Sequence, residues 1–272
     1  MNYRHSFHAG NFADVVKHAL LLWLLDHRRA RGPVTVIDTH AGAGLYDLSG
    51  DAARSKEAEA GIARLMQAEA RPPLIEALAA EVRALNPDGG ARFYPGSPRL
   101  AIDRLGPDDV WLGFEMHPPV LDLLRDALAA FPAAQARGGD GYDQAVEAAR
   151  AAPGALVLID PPFERPDDYL RAAEAAVAIA RDDAGASVAV WTPLKDLETF
   201  DGFLRRLAAG GAREVLVAEA RLRPLTDPMK MNGCAVVILN PPPGADAAAT
   251  EICGWVAAHL GGPAARAEVW RP

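Results

Sequence analysis

The segment Leu156-Val157-Leu158-Ile159-Asp160-Pro161-Pro162-Phe163 decides how this chain is read. Its first four positions are apolar without interruption. A short run of that kind, bounded by turn residues, marks a strand buried on both faces of a parallel sheet. Pro161 and Pro162 stop it at once, because neither ring nitrogen can donate to a sheet ladder. A carboxylate is therefore left at the carboxyl end of a strand, with an aromatic ring three residues on. Ligands of open α/β sheets bind at that edge. An acceptor beside a stacking ring suits a flat heterocycle that carries an exocyclic amine.

Outward from this segment, strands and helices alternate. Asn11 to Asp26 has apolar residues at helical spacing, with Asn11 as the N-cap. Val34 to Asp38 is a short β-branched strand that enters the turn Asp38-Thr39-His40-Ala41-Gly42-Ala43-Gly44. The 65 residues from Leu45 to Asp109 exceed what one crossover needs, since its loops run about 2–6 residues around a single helix. The excess holds helical patterns over Ala53 to Ala68 and Leu74 to Leu85, so residues 47–94 read as an inserted helical subdomain. Ser97-Pro98 opens another helix, and further strands are expected at Val110 to Glu115, Gln135 to Arg137, Ser187 to Trp191, Glu214 to Ala220 and Ala235 to Leu239. Such alternation implies βαβ units in a parallel sheet, and the last two strands imply an antiparallel hairpin at its edge. Pro241 to Thr250 reads as a flexible link. Residues 1–272 thus form one α/β domain, with residues 1–31 as a tail and helix that cap the site.

Half of the 272 residues are hydrophobic, enough for a large core, and no apolar run reaches the ~18 residues of a membrane span. The opening residues lack the apolar stretch of a signal peptide. Cys234 and Cys253 match no zinc or redox spacing. A cytoplasmic monomer with no metal and no membrane contact is expected. The net charge of −8 opposes broad nucleic-acid binding, but residues 1–31 carry a local balance of +3 and five of the seven histidines fall in the first forty. One basic end on an acidic body can grip a short nucleic-acid segment.

Small residues at Gly42 and Gly44 let the backbone approach a ligand closely. Glu115 ends the next strand, where an acid can take both hydroxyls of a ribose, and Asp140 after the third strand can accept from a purine amine. With Asp160, these place a glycine turn or an acid at the end of each of four successive strands. The missing third glycine of the turn and the Asp-Pro-Pro-Phe strand end speak against a nicotinamide enzyme.

Asp160-Pro161-Pro162-Phe163 resembles the Asp-Pro-Pro-Tyr/Phe motif of S-adenosylmethionine-dependent amino methyltransferases. Together with Tyr3-Arg4-His5-Ser6-Phe7-His8-Ala9-Gly10-Asn11, Asp14-Val15, Lys17-His18, the turn from Asp38 to Gly44 and Tyr94-Pro95-Gly96-Ser97-Pro98, it closely resembles the RlmJ family of bacterial 23S ribosomal RNA adenine-N6 methyltransferases. The resemblance runs end to end. It implies a class I, Rossmann-like methyltransferase fold and S-adenosyl-L-methionine as cofactor. By position it puts cofactor contacts on His18, His40, Ser97, Glu115, Asp140 and Gly141, and the proton acceptor on Asp160. Gly42 joins the cofactor set through its turn, and Pro161 and Phe163 join Asp160 in the catalytic set through the strand-end motif. RNA contacts are expected from Tyr3, Arg4 and Lys17. Phe163 stands where the family often has tyrosine, and Phe12 where some relatives have a polar residue. A DNA adenine-N6 methyltransferase, a glutamine-amide methyltransferase and a non-catalytic cofactor- or RNA-binding module are the alternatives. The second usually has Asn at the Asp160 position, and the first needs a larger element for reading base edges.

Overall fold

Periodicity in the sequence becomes alternating elements in space. A computed structural model describes residues 8–49, 56–227 and 230–272. In chain order these form α1 (Phe12–Arg29), β1 (Thr35–Asp38), β2 (Leu45–Asp47), a π-helical turn (Glu59–Ala63) continued by α2 (Arg64–Gln67), α3 (Pro73–Leu85) and β3 (Phe93–Pro95). Then come α4 (Ser97–Ile102), β4 (Val110–Glu115), α5 (Pro118–Leu128), β5 (Ala134–Gly138), α6 (Gly141–Ala151) and β6 (Leu156–Ile159). The chain closes with α7 (Asp168–Asp182), β7 (Ser187–Leu194), α8 (Leu197–Ala209), β8 (Val215–Arg221), β9 (Gly233–Leu239), α9 (Ala245–Leu260) and β10 (Arg266–Trp270).

Eight strands form one sheet in the order β10-β8-β9-β7-β6-β1-β4-β5. β5, β4, β1, β6 and β7 are mutually parallel. Strand order reverses between β1 and β6, so the crevice that such sheets offer to ligands opens at the carboxyl ends of these two strands. Side chains alternate across the sheet as the pleat demands. Leu156 and Leu158 of β6 join the core beneath α1, α3, α5 and α9, while Val157 and Ile159 join the core beneath α6, α7 and α8. This is the class I methyltransferase layout, mostly parallel with an antiparallel edge.

The edge is more elaborate than the sequence suggests. β9 wedges between β7 and β8, antiparallel to both, and β10 adds a further antiparallel strand outside β8. The stretch from Pro241 to Thr250, expected as a flexible link, is largely helix, because α9 begins at Ala245. Its Ala-rich sequence buries Ala245, Ala248, Ala249, Ile252 and Cys253 against α1 and the sheet, and a helix apolar on most sides gives little amphipathic signal.

β2 and β3 pair as a two-stranded ribbon, and the chain between them returns to pack on α1 and α9. Close backbone approach holds it there. Ile62 N–H donates to the Gly10 carbonyl at 2.8 Å, and a Cβ on Gly61 would lie 2.2 Å from that same oxygen. Only glycine fits at that position.

Candidate active site

α1 starts where Asn11 caps it, its side-chain oxygen accepting from the N–H groups of Ala13 (2.9 Å) and Asp14 (3.1 Å). Twelve of its eighteen residues are buried. A helix enclosed on nearly every side must neutralise its own charges, and Lys17 does so between two carboxylates. Its Nζ lies 2.8 Å from Asp14 Oδ1 and 2.5 Å from Asp160 Oδ2. Lys17 was expected to meet RNA. It is instead only 9% exposed and belongs to the floor of the site beside Asp160.

The electrostatics of this cluster follow from burial. Desolvation works against the Asp14 carboxylate, yet the Lys17 ammonium and the Gly10 N–H bring it down to about 2. Burial also works against a charged Lys17, and the two carboxylates more than offset it, holding the ammonium above the usual lysine range. For Asp160 burial wins: its carboxyl stands above the usual carboxylate range although Lys17 touches it. His18 is pushed down to about 3 by burial and by the Lys17 charge, so its ring is neutral; its Nδ1 shares a hydrogen bond with the Tyr94 hydroxyl at 2.7 Å.

One cavity gathers Asp14, Lys17, His18, His40, Ser97, Asp160 and Pro161, and Tyr46 and Trp191 also line it. Asp38, at the end of β1, accepts from Ser97 Oγ at 2.6 Å and is pushed up to about 7, chiefly by burial. The turn that follows is tied to its neighbours. Thr39 N–H donates to the Leu158 carbonyl and Ala41 N–H to the Phe114 carbonyl, at 3.0 and 2.9 Å. Gly42, in the left-handed region at φ +63°, donates its N–H to Glu115 Oε2 at 3.2 Å. Glu115 Oε1 accepts from His117 N–H at 2.8 Å, and Met116 between them is 48% exposed.

Gly141 opens α6 directly against this turn: a Cβ there would lie 1.9 Å from the Thr39 carbonyl oxygen. Asp140 caps α6 through Tyr142 N–H at 3.1 Å, and Arg171 grips its two oxygens at 2.5 and 3.1 Å. That arginine is a partner for which the sequence gives no local signal. Gly42, Glu115, Asp140 and Gly141 therefore form a ledge along the ends of β1, β4 and β5, beside the cavity that holds His18, His40, Ser97 and Asp160.

Phe163 lies on the other side of Asp160. Its backbone is left-handed at φ +51°, which turns the ring toward Tyr169 (centroids 4.3 Å apart) and Trp191 (6.0 Å). It lines a broad groove together with Phe12, Pro162, Glu164, Trp191 and Lys195. Asp14, Asp38, Tyr94 and Trp191 are site residues to which the sequence reading gave no role. Asp14 was legible in principle, since it stands one helical turn before Lys17. Tyr3 and Arg4 lie outside the described residues. Among the described residues no helix is long and apolar enough to cross a membrane.

A family model described as "Ribosomal RNA large subunit methyltransferase D, RlmJ" matches residues 31–271. The chain is 32% identical over 263 residues to "Ribosomal RNA large subunit methyltransferase J" of Escherichia coli (strain K12), covering 96% of this chain and 94% of that protein. The protein of the same name from Haemophilus influenzae is 33% identical over 247 residues, covering 89% and 88%. A crystal structure of a Legionella pneumophila protein superposes with a TM-score of 0.88 at 26% identity, over 97% of this chain and 98% of that one. The chain belongs to the RlmJ family of ribosomal RNA large-subunit methyltransferases.

Proposed function

We propose that this protein transfers a methyl group from S-adenosyl-L-methionine to the N6 amine of an adenine in 23S ribosomal RNA, acting as a cytoplasmic monomer. The observation that carries this reading is the position of Asp160: a carboxylate at the switch point of the sheet, with its Oδ2 on Lys17 and an aromatic ring three residues on. The residues at the ledge suit the cofactor. Glu115 has acceptor capacity beyond its two backbone N–H partners for the hydroxyls of a ribose, and exposed Met116 offers apolar surface to a purine. His18, His40, Ser97, Gly42, Asp140 and Gly141 complete the set that would hold it. When bound, the cofactor supplies an electrophilic methyl on a sulfonium.

The protein's own part is to prepare the amine. Adenine N6 is a poor nucleophile because its lone pair is delocalised into the ring. Oδ1 of Asp160 and the Pro161 carbonyl can each accept an N–H from it, which favours a nitrogen whose lone pair is available. Lys17 fixes the carboxylate by holding the other oxygen. The Phe163 ring supplies a stacking face that sets the plane of the base. Such alignment lowers barriers by about 7–11 kcal/mol in favourable cases. Asp160 need not remove a proton first, since the nitrogen becomes acidic only as the new bond forms; the proton it then releases would pass to the Asp160 carboxylate. A paired base must first leave its helix, at a cost of a few kcal/mol.

The test is transfer of labelled methyl groups to deproteinised rRNA, followed by nucleoside analysis. Label in N6-methyladenosine supports the reading; label in another nucleoside, or none, refutes it.

A further inference from the structure

A methyltransferase that acts on RNA needs a grip on phosphate, and a net charge of −8 makes that grip local. The basic N-terminal stretch does not supply it among the described residues. Lys17 is buried against carboxylates, Arg28 donates to the Gly154 carbonyl oxygen, and Arg29 pairs with Asp109 at 2.7 Å. Arg31 stands beside the amino end of β1, at the sheet edge opposite Asp160.

Two other cations stand where they are needed. Lys195 directly follows β7 and Arg223 lies two residues past β8; both are exposed and both line the groove that contains Phe163 and Trp191. β7 and β8 each run antiparallel to β9, so their carboxyl ends share the edge at which β6 delivers Asp160. Neither side chain has a hydrogen-bond or ion-pair partner among the described residues. Lys230, also in the groove, is paired with Asp227 at 3.2 Å. Of the groove's acids, Glu57 is taken up by His8 and Asn11, and Glu164 is exposed.

The two cations are held in register by one buried residue. The Asn232 carbonyl accepts from Arg223 N–H at 3.2 Å, and its side-chain amide reaches the Lys195 carbonyl at 3.3 Å. Its own N–H donates to the Leu194 carbonyl at 3.2 Å. Asn232 is fully buried, so this link does not depend on solvent.

We propose that Lys195 and Arg223, fixed by Asn232, clamp the phosphodiester backbone of the RNA strand that flanks the target adenine. The clamp rests on the rRNA reading above and supplies the substrate grip that reading lacks. Its test is binding of a 23S rRNA transcript by fluorescence anisotropy across a salt series, for wild type, Lys195→Ala, Arg223→Ala and the double variant. Each phosphate contact contributes about 0.7 to the slope of log affinity against log salt for a single strand. The double variant should therefore lose about 1.4 from that slope and bind roughly tenfold or more weakly at physiological salt. Lys195→Arg and Arg223→Lys should retain the wild-type slope, which a merely structural role would not predict. In methyl transfer, KM for RNA should rise while kcat at saturating RNA stays within about twofold. Unchanged affinity and slope in a folded double variant overturn the clamp, whether or not the wild type methylates RNA. Wild-type binding without methyl transfer leaves the clamp standing and overturns the reading of the reaction.

Discussion

Two apolar strands of this sheet end in nearly the same words, Asp160-Pro161-Pro162-Phe163 after β6 and Asn240-Pro241-Pro242-Pro243 after β9. Each also uses a left-handed non-glycine residue, Phe163 at φ +51° and Asn240 at φ +50°. Direction separates them. β9 runs antiparallel to β7, so Asn240 emerges at the sheet edge opposite Asp160. There its donors and its backbone carbonyl are all taken up. The Asn240 amide donates to the carbonyls of Ala180, Asp183 and Ala186 at 3.0 to 3.2 Å, its N–H reaches the Glu214 carbonyl, and its own carbonyl accepts from Ser187 Oγ. Asn tolerates the left-handed region, whereas Phe does so at a cost. The end at Asp160 instead keeps a carboxyl whose protonation is favoured by burial and leaves one oxygen open. The Asn240 end takes up its donors locally, whereas the proposed catalytic end places a left-handed Phe163 beside an Asp160 carboxylate with one oxygen held by Lys17.

The largest expected effect breaks the comparison at its functional end. Asp160→Ala should lower methyl transfer by about 10²–10⁴-fold, the usual worth of a positioned acid–base group. Asn240→Ala should leave transfer per folded molecule within about threefold, the range of a change remote from the chemistry. Equal losses in the two folded variants would mean that the assignment of the strand ends is wrong. The wild-type rate should also fall in acid with a midpoint above the usual carboxylate range, because protonated Asp160 cannot accept from an amine on that oxygen.

Asp38 sharpens the contrast through stability. Its folded value of about 7 lies above the 3.8 of an ordinary aspartate. Between those values the folded protein holds a proton that the unfolded chain has lost. Its contribution is fully present below about pH 4 and disappears as pH rises through 7. Asp38→Asn removes that dependence: little change relative to wild type near pH 4, and a gain approaching, at most, about 4 kcal/mol by pH 8. Denaturant melts at the two pH values measure it. A gain that is the same at both would show that Asp38 is not the group responsible.

Much of this was legible in the sequence, and the failures have physical causes. Buried strands announce themselves because they are apolar without interruption, which is why Leu156 to Ile159 located the centre of the sheet. The strand-end acids were legible because prolines and glycines mark where strands stop. Lys17 was misread because a cation on a helix is normally solvated; the consecutive Leu20, Leu21 and Leu22, all buried, were the sign that this helix has almost no wet face. Arg171 on Asp140 and Asn232 on Lys195 are contacts between residues 31 and 37 positions apart, and no periodicity encodes them. α9 and β10 escaped for a related reason: an Ala-rich helix buried on most sides and a short edge strand both lack a strong period.

At the structural end, Asn240→Ala should cost about 2–3 kcal/mol, since three carbonyls lose a donor and alanine is strained at positive φ. Asn240→Gly relieves the strain but not the lost hydrogen bonds, so it should recover only part of that loss in thermal melts.

The smallest effect is expected where the two ends differ in their aromatic. Phe163→Leu keeps an apolar side chain but removes the stacking face, and base–aromatic stacking is worth about 1–3 kcal/mol. KM for RNA should therefore rise by about 5- to 150-fold. Phe163→Tyr keeps the ring, and with it the contacts to Tyr169 and Trp191, so its KM should stay within about twofold of wild type. If Leu and Tyr behave alike, the ring acts through packing on Tyr169 rather than on a base. The difference between the two strand ends would then reduce to the single carboxylate at Asp160.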